Sequence, residues 1–230
     1  DRNSVFIPCD KHQLLPHLQP QPLQYGHIDL RVGIIESVTK HPEADNLFVE
    51  TINVGEESGP RQIVSGLVPF FPSEALRQRR VVVMSNLRKA KLRGVTSHGM
   101  ILCASSEIAT VTDSAMSADP VTSGVGFNEE LGRAVAFVEP PATAKPGDRI
   151  IVDNQLSEEL YGTPLSANQM KKRKQIVPEF LERCSSGSTE YIGDEQGSTT
   201  LPRYLATVGG IPLVTEAGPC TVPGLQDAPI

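Results

Sequence analysis

The sequence predicts a mainly β protein with many short strands, and three observations carry that prediction. Apolar residues recur at a period of two over short stretches, which is a strand signal and not a helix signal. Pro and Gly, 19 of each in 230 residues, break those stretches into turn-bounded pieces. Aromatics make up only 5% and Trp is absent, which suits short strands joined by turns. No apolar run approaches the ~20 residues of a membrane-spanning helix.

Residues 1 to 27, with Pro16, Pro20 and Pro22 among Gln and Leu, are expected to be an extended linker. In the first strand, Leu30, Val32, Ile34 and Val38 fall on one face and Arg31, Gly33, Ile35 and Ser37 on the other. HPEADN carries turn chemistry. LFVETINVG gives a second strand and, after GEESGPR, QIVSGLV a third. Ser73 is the expected N-cap of a helix of two turns at most in PSEALRQ. RVVVMSNL and GMILCAS give the fourth and fifth strands. Five short strands with a small helix between the third and fourth follow the order of a five-stranded oligonucleotide-binding (OB) barrel.

From Ile108 to Gly132 the composition shifts to Thr, Ser, Ala, Asp and Gly. The segment 108–132 is expected to be a surface insertion, dispensable for folding. The strand-like AVAFVEPP and PGDRIIV then complete a domain spanning 28–152. Residues 153–230 are expected to form a smaller α+β subdomain. Its helix, in NQMKKRKQIVPEFLERC, should be broken or kinked by Pro178, and YLATV and IPLVT are its strands.

Charge is segregated. The net charge is −6, yet Ala75 to Ser106 contains no Asp or Glu while holding Arg77, Arg79, Arg80, Arg88, Lys89, Lys91 and Arg93. Lys171, Lys172, Arg173 and Lys174 form a second cluster. Together the two segments hold eleven of the 21 Lys and Arg and none of the 27 acids. That is the footprint of a polyanion-binding face on an acidic body; the bland alternative, strongest for Lys171 to Lys174, is solvated surface. Aromatic partners are limited to Phe48, Phe70, Phe71 and a few others, which argues for backbone and shape recognition, as in folded RNA, over base stacking. Gly94 and Gly99 fit a turn or a close main-chain approach. Ser97 and His98 point to opposite faces of a strand and cannot pair as nucleophile and base. Met100 fits core filler, or a contact with a base or ribose.

Catalytic and metal chemistry find no foothold. G-x-S-x-G, H-E-x-x-H and G-x-x-x-x-G-K-[ST] are missing, so a non-catalytic chain without cofactors is expected. Cys9, Cys103, Cys184 and Cys220 form no C-x-x-C, which fits a reducing compartment. Cys9, His12 and His17 are three potential ligands where a closed zinc site needs four, so no metal is expected. Without a secretory signal or an initiator Met, a fragment of a longer cytoplasmic protein is expected.

DLRVG, HPEADNLFVE, VSGLV and NLRKAKLRGVTSHGMILCASS together resemble the tRNA-binding domain related to endothelial monocyte-activating polypeptide II. That family includes the C-terminal domain of animal tyrosyl-tRNA synthetases, appendages of some methionyl-tRNA synthetases, and auxiliary cofactors of synthetase complexes. The resemblance runs from Asp29 to Ser106, resumes at VEPP…PGDRI and continues weakly to YLATVGGIPL. It implies an OB barrel that grips the outer corner of tRNA without strong sequence selectivity. Lys91, Arg93, Ser97 and Met100 match its tRNA-contact positions; Asn86, Gly94 and Gly99 match its frame. Arg88 and Lys89 stand where relatives have Lys-Pro, Asn46 where several bacterial members have Lys, and Arg173 where the vertebrate helix has an aromatic. The candidate tRNA-binding set is therefore Arg88, Lys89, Lys91, Arg93, Ser97, Met100 and Asn86, with Lys171, Lys172, Arg173 and Lys174 as a secondary patch. Residues 153–230 would imitate a dimer partner, leaving the chain monomeric. Its expected partners are tRNA and a tethered or associated aminoacyl-tRNA synthetase, with no membrane. The alternative is an interaction or signalling module that binds other polyanions.

Overall fold

The computed structural model describes residues 24–108, 111, 116–152, 162–186, 205–207, 212–225 and 228–230. Most of the expected linker, with Cys9, His12 and His17, lies outside these residues.

The fold is mainly β. Strand β1 (Leu30–His41) turns through Pro42 and Glu43 into β2 (Ala44–Asn53), which pairs in turn with β3 (Arg61–Ser65). The short helix α1 (Ser73–Leu76) leads to β4 (Arg80–Met84). Pro72 occupies its N-cap and Ser73 is the first helical residue, one position later than expected. Strand β4 pairs with the first half of β1, and β2 with the second half. The run Val81, Val82, Val83 and Met84 is 0% exposed throughout. This is the mark of a strand covered on both faces, which reads as continuous apolar sequence without alternation.

The alternation expected along β1 holds through Ile35, which lies on the face opposite Leu30 and Val32, and changes phase beyond it, so that Val38 joins Ile35 and not Val32. A register shift between Ile35 and Ser37 lets Ile35 and Val38 both point inward, while Ile34 is only half-buried. A bulge adds one residue to one strand, so every later side chain swaps faces. Leu30 and Val32 therefore serve one apolar cluster, and Ile35 and Val38 a second that also holds Phe48, Ile52, Ile63, Leu76 and Phe137.

Past β4 come β5 (Ala90–Leu92), β6 (Val95–Ser97), β7 (Met100–Ile101) and β8 (Cys103–Glu107). The expected fifth strand is thus split at Leu102. β7 pairs with β4, while β3 forms no ladder with the β6–β7 region and meets it through isolated bonds such as His98 N–H to Gln62 O at 2.9 Å and Val64 N–H to Ser97 Oγ at 3.0 Å. Among the described residues the ladders form no closed barrel.

Segment 108–132 departs from the expected surface insertion in its second half. Helix α2 (Pro120–Ser123), N-capped by the Asp119 side chain, leads into β9 (Val125–Asn128), which pairs with β10 (Arg133–Phe137) and so reaches β8. Val125 is buried, and Asn128 donates to Pro69 O at 3.1 Å. A Cβ on Gly126 would stand 2.2 Å from Phe70 O, so only glycine fits. We expect Gly126→Ala to cost about 1–3 kcal/mol through forced displacement of this backbone, read as a lower urea midpoint. An unchanged midpoint would show that β9 is dispensable after all.

Strand β11 (Arg149–Val152) joins the start of β1. The expected single helix is two: α3 (Ala167–Lys172) and α4 (Ile176–Glu182). The break falls at 173–175 and not at Pro178. Pro178 lies in the first turn of α4, where its missing N–H would have had no intrahelical partner. β12 (Cys184–Ser186) pairs with β13 (Leu205–Thr207), and β14 (Leu213–Thr215) with β11 and β15 (Gly218–Pro219). Met170, Ile176, Phe180, Cys184, Leu213 and Val222 share one cluster with Leu30, Val32, Val82 and Met84. The C-terminal segment therefore covers the face of β1 and β4 turned away from the Phe48 cluster. Tyr25–His27, expected within the extended linker, instead forms a 3-10 turn, and Tyr25 meets Phe180 edge-on at 6.3 Å.

Candidate nucleic-acid interface

Strand β4 divides the carboxylate-free tract between its two ends. At its start, Arg79 is used by the fold: Nε donates to Ala75 O at 2.7 Å, Nη2 to Val121 O at 2.5 Å, and Nη1 pairs with Glu139. Its guanidinium also lies 5.1 Å from the Phe137 ring centroid. Arg80 donates to Ala144 O at 3.3 Å. These two cations hold the chain together, which composition does not reveal.

Beyond the other end of β4 the same tract forms a hairpin. β5 and β6 pair Ala90 with Ser97, Lys91 with Thr96 and Leu92 with Val95, around the two-residue turn Arg93-Gly94. Both turn residues have positive φ, +44° and +94°, as a two-residue turn matched to strand twist requires. Glycine adopts this freely; Arg93 does so with some strain. Residues 88 to 94 are all exposed. No described residue hydrogen-bonds or ion-pairs with the side chains of Arg88, Lys89, Lys91 or Arg93.

The hairpin is rooted from three sides. His41 Nδ1 accepts the Glu43 N–H at 3.0 Å, which leaves the proton on Nε2 to donate to Leu92 O at 3.1 Å. Gln62 Nε2 donates to Thr96 O at 2.8 Å. Arg61 grips Glu56 through Nε at 2.7 Å and Nη2 at 2.5 Å, while its Nη1 donates to Ser85 O at 2.5 Å and His98 O at 2.8 Å. The Arg61 guanidinium holds the Glu56 carboxyl below the usual carboxylate range. The charge on the root is thus neutralised while the tip stays cationic. Burial, then Lys89 and Arg61, push the His98 pKa down, so that imidazole stays neutral. None of Arg61, Gln62 or His41 was singled out from the sequence, and no local signal marks them, since the carbonyls they hold at the hairpin lie 34 to 51 residues away.

Two expected contact residues serve the frame. Ser97 is 4% exposed; its hydroxyl accepts from Val64 N–H and donates to Gly99 O at 3.0 Å. Asn86 is half-buried with its amide fully engaged: Oδ1 accepts from Asp29 N–H at 3.0 Å, and Nδ2 donates to His27 O at 2.8 Å and Leu165 O at 2.9 Å. Met100 is half-buried on β7, against the first cluster.

Through Leu165, Asn86 also draws the two basic clusters together. An open cleft lined by Arg88, Lys89, His98, Asn86 and Ser58 has Ala167, the first residue of α3, on its wall. At 1.5 Å rise per residue, Lys171 and Lys172 follow within about 6–8 Å along the helix. Lys171, Lys172 and Lys174 are exposed, while Arg173 is half-buried with Nη1 3.4 Å from His27 Nδ1. Among the described residues no cluster of His, Cys, Asp and Glu is suited to a metal ion, and no helix is long and apolar enough to cross a membrane.

Fold and site together define a small β domain that carries a rooted, cation-tipped hairpin beside a basic helix end on an otherwise acidic body. Residues 30–124 match the model of the family described as "Putative tRNA binding domain". The chain is 37% identical over 179 residues to the cytoplasmic tyrosine–tRNA ligase of Xenopus tropicalis, covering 76% of this chain and 28% of that protein. It is 39% identical over 172 residues to the tRNA-aminoacylation cofactor arc1 of Schizosaccharomyces pombe, covering 74% and 32%. The chain thus spans a third or less of these relatives. Its fold matches the crystal structure of the C-terminal domain of Plasmodium vivax p43 with a TM-score of 0.64 and 25% identity, over 90% of this chain and 99% of that one.

Proposed function

We propose that this chain is a non-catalytic module that captures tRNA by its backbone and outer corner for an attached or associated aminoacyl-tRNA synthetase in the cytoplasm. One observation carries the reading: Arg88, Lys89, Lys91 and Arg93 stand exposed and unengaged on a hairpin whose root is tied down at His41, Arg61 and Gln62. Rigid presentation of free cations suits phosphate contact, which positions a nucleic acid without reading its sequence. Ser97 and Asn86 hold the hairpin in place, Met100 supplies an apolar contact, and Lys171, Lys172, Arg173 and Lys174 flank the cleft. Relatives named as a tRNA ligase and a tRNA-aminoacylation cofactor support the tRNA and synthetase partners.

A five-stranded OB barrel formed by β1 to β4 with β7 and β8 is the architecture this function uses. Its support is the bent β1 shared between β2 and β4, and the β5–β6 hairpin resting on the β1–β2 turn, the pair of loops that flank the ligand face in such barrels. Residues 28–152 form that domain. Residues 153–230 take the place of a dimer partner, which keeps the chain monomeric.

The test is a filter-binding titration with tRNA, fully paired RNA duplex and heparin at matched ionic strength. tRNA should bind most tightly. Equal affinity for all three would favour a general polyanion or signalling module instead.

A further inference from the structure

A pocket of about 430 Å³ opens where β3 and β8 fail to pair, within the ~300–1,000 Å³ range of small-ligand sites. Phe70, Met100 and Leu181 give it apolar walls, while Ser65, Cys103 and Arg133 contribute polar groups. We propose that this pocket receives one unstacked nucleobase of the bound tRNA, an inference that rests on the tRNA-binding reading.

Three features favour a base. The first is its position: Met100 begins the strand that follows the basic hairpin, and the wall residue Val64 is bonded to Ser97, the last residue of that hairpin. A backbone held on Lys91 and Arg93 therefore passes within reach of the pocket. The second is the aromatic. Of the three phenylalanines the sequence offered for stacking, Phe48 and Phe71 are closed inside the core, and Phe70 alone stays half-buried, on this wall. The third is the mixture of surfaces. A base has flat apolar faces for Phe70, Met100 and Leu181, and a hydrogen-bonding edge for the Ser65 hydroxyl and the Arg133 guanidinium. Behind Ser65, the fully buried Glu50 accepts the Ser65 hydroxyl on one carboxyl oxygen, and its other oxygen has no partner among the described residues. Ser65 Oγ, which donates to Glu50, keeps lone pairs to accept from a base edge, and Arg133, whose Nη2 donates to Ser105 Oγ, keeps further N–H groups to offer one.

The test compares wild type with Phe70→Leu, which removes the aromatic face, and Ser105→Phe, which fills the pocket from its lining on β8. Thermal unfolding first confirms that each variant is folded. Filter binding to tRNA should then weaken about tenfold for each, the scale of one lost base–aromatic contact. The slope of log K against log salt should not change, because no phosphate contact is removed. Affinity for a fully paired RNA duplex, which offers no unstacked base, should not change either. Wild-type tRNA affinity in whichever variant folds would overturn the proposal, as would an equal loss on the duplex, which would mark a general effect on the face. Failure of the wild type to bind tRNA would instead refute the functional reading itself, and the pocket proposal with it.

Discussion

Replacing Lys91 and Arg93 together by alanine is expected to weaken tRNA binding about twentyfold at physiological salt. It should also flatten the plot of log K against log salt by roughly 1.4 to 1.8, the release of counterions at two phosphates. Both side chains are exposed, and neither is engaged with another described residue, so their removal takes nothing from the fold. Different tRNAs should lose affinity alike. Arg93→Gly separates charge from strain, because glycine suits the +44° φ of that position and keeps the turn while deleting the cation. It should lose affinity while matching or exceeding wild type in thermal stability. Met100→Ala should lower affinity at constant slope, since an apolar contact releases no ions. Unchanged affinity and slope in the double variant would reduce the hairpin to solvated surface.

The second large effect is on stability. Burial pushes the Glu50 carboxyl up to about 7, against a partial offset from the Ser65 hydroxyl. In the unfolded chain it titrates near the ordinary 4.5. Between those two values the native state still holds a proton that the unfolded chain has released. Stability therefore falls as pH rises through that window and levels off above it. Two and a half pKa units correspond to about 3 kcal/mol. Glu50→Gln lacks this titration, so its stability relative to wild type should improve by about that amount from pH 4 to pH 8.5. Taking the difference cancels the histidines and Glu139. Urea unfolding at both pH values measures it, and a difference that ignores pH would place the titration elsewhere. Cys103, whose thiol is pushed up to about 12 by burial and by the Glu50 carboxylate, stays protonated across this range.

Much of the scaffold was legible because its signals are local. The continuous run of β4, the turn after β1 and the strand after PGD announce themselves within a few residues, although β2 begins at Ala44, inside the stretch expected to be turn. The phase change in β1 did not, because nothing in the letters around Glu36 marks the bulge that moves Val38 to the face of Ile35. The basic tract was legible as composition and illegible as geometry. Nothing in its letters separates Arg79, bound at once to Ala75, Val121 and Glu139, from Arg93, bound to nothing described. That distinction depends on groups up to 60 residues away. The second half of segment 108–132 was misread for a related reason. Thr, Ser and Gly there suggest a loop, but Gly126 is small because Phe70 O leaves no room for a side chain.

The cover that Met170, Phe180 and Leu213 lay over Val82 and Met84 belongs to the same chain as the surface it protects. A cover supplied by a second molecule would come off on dilution, since its occupancy depends on protein concentration. Here the cover is tethered, so its local concentration does not depend on how much protein is present. The outer face of β4 therefore stays sheltered at any abundance of the protein. Fusion to a larger enzyme, or existence as a scarce free factor, leaves it equally intact.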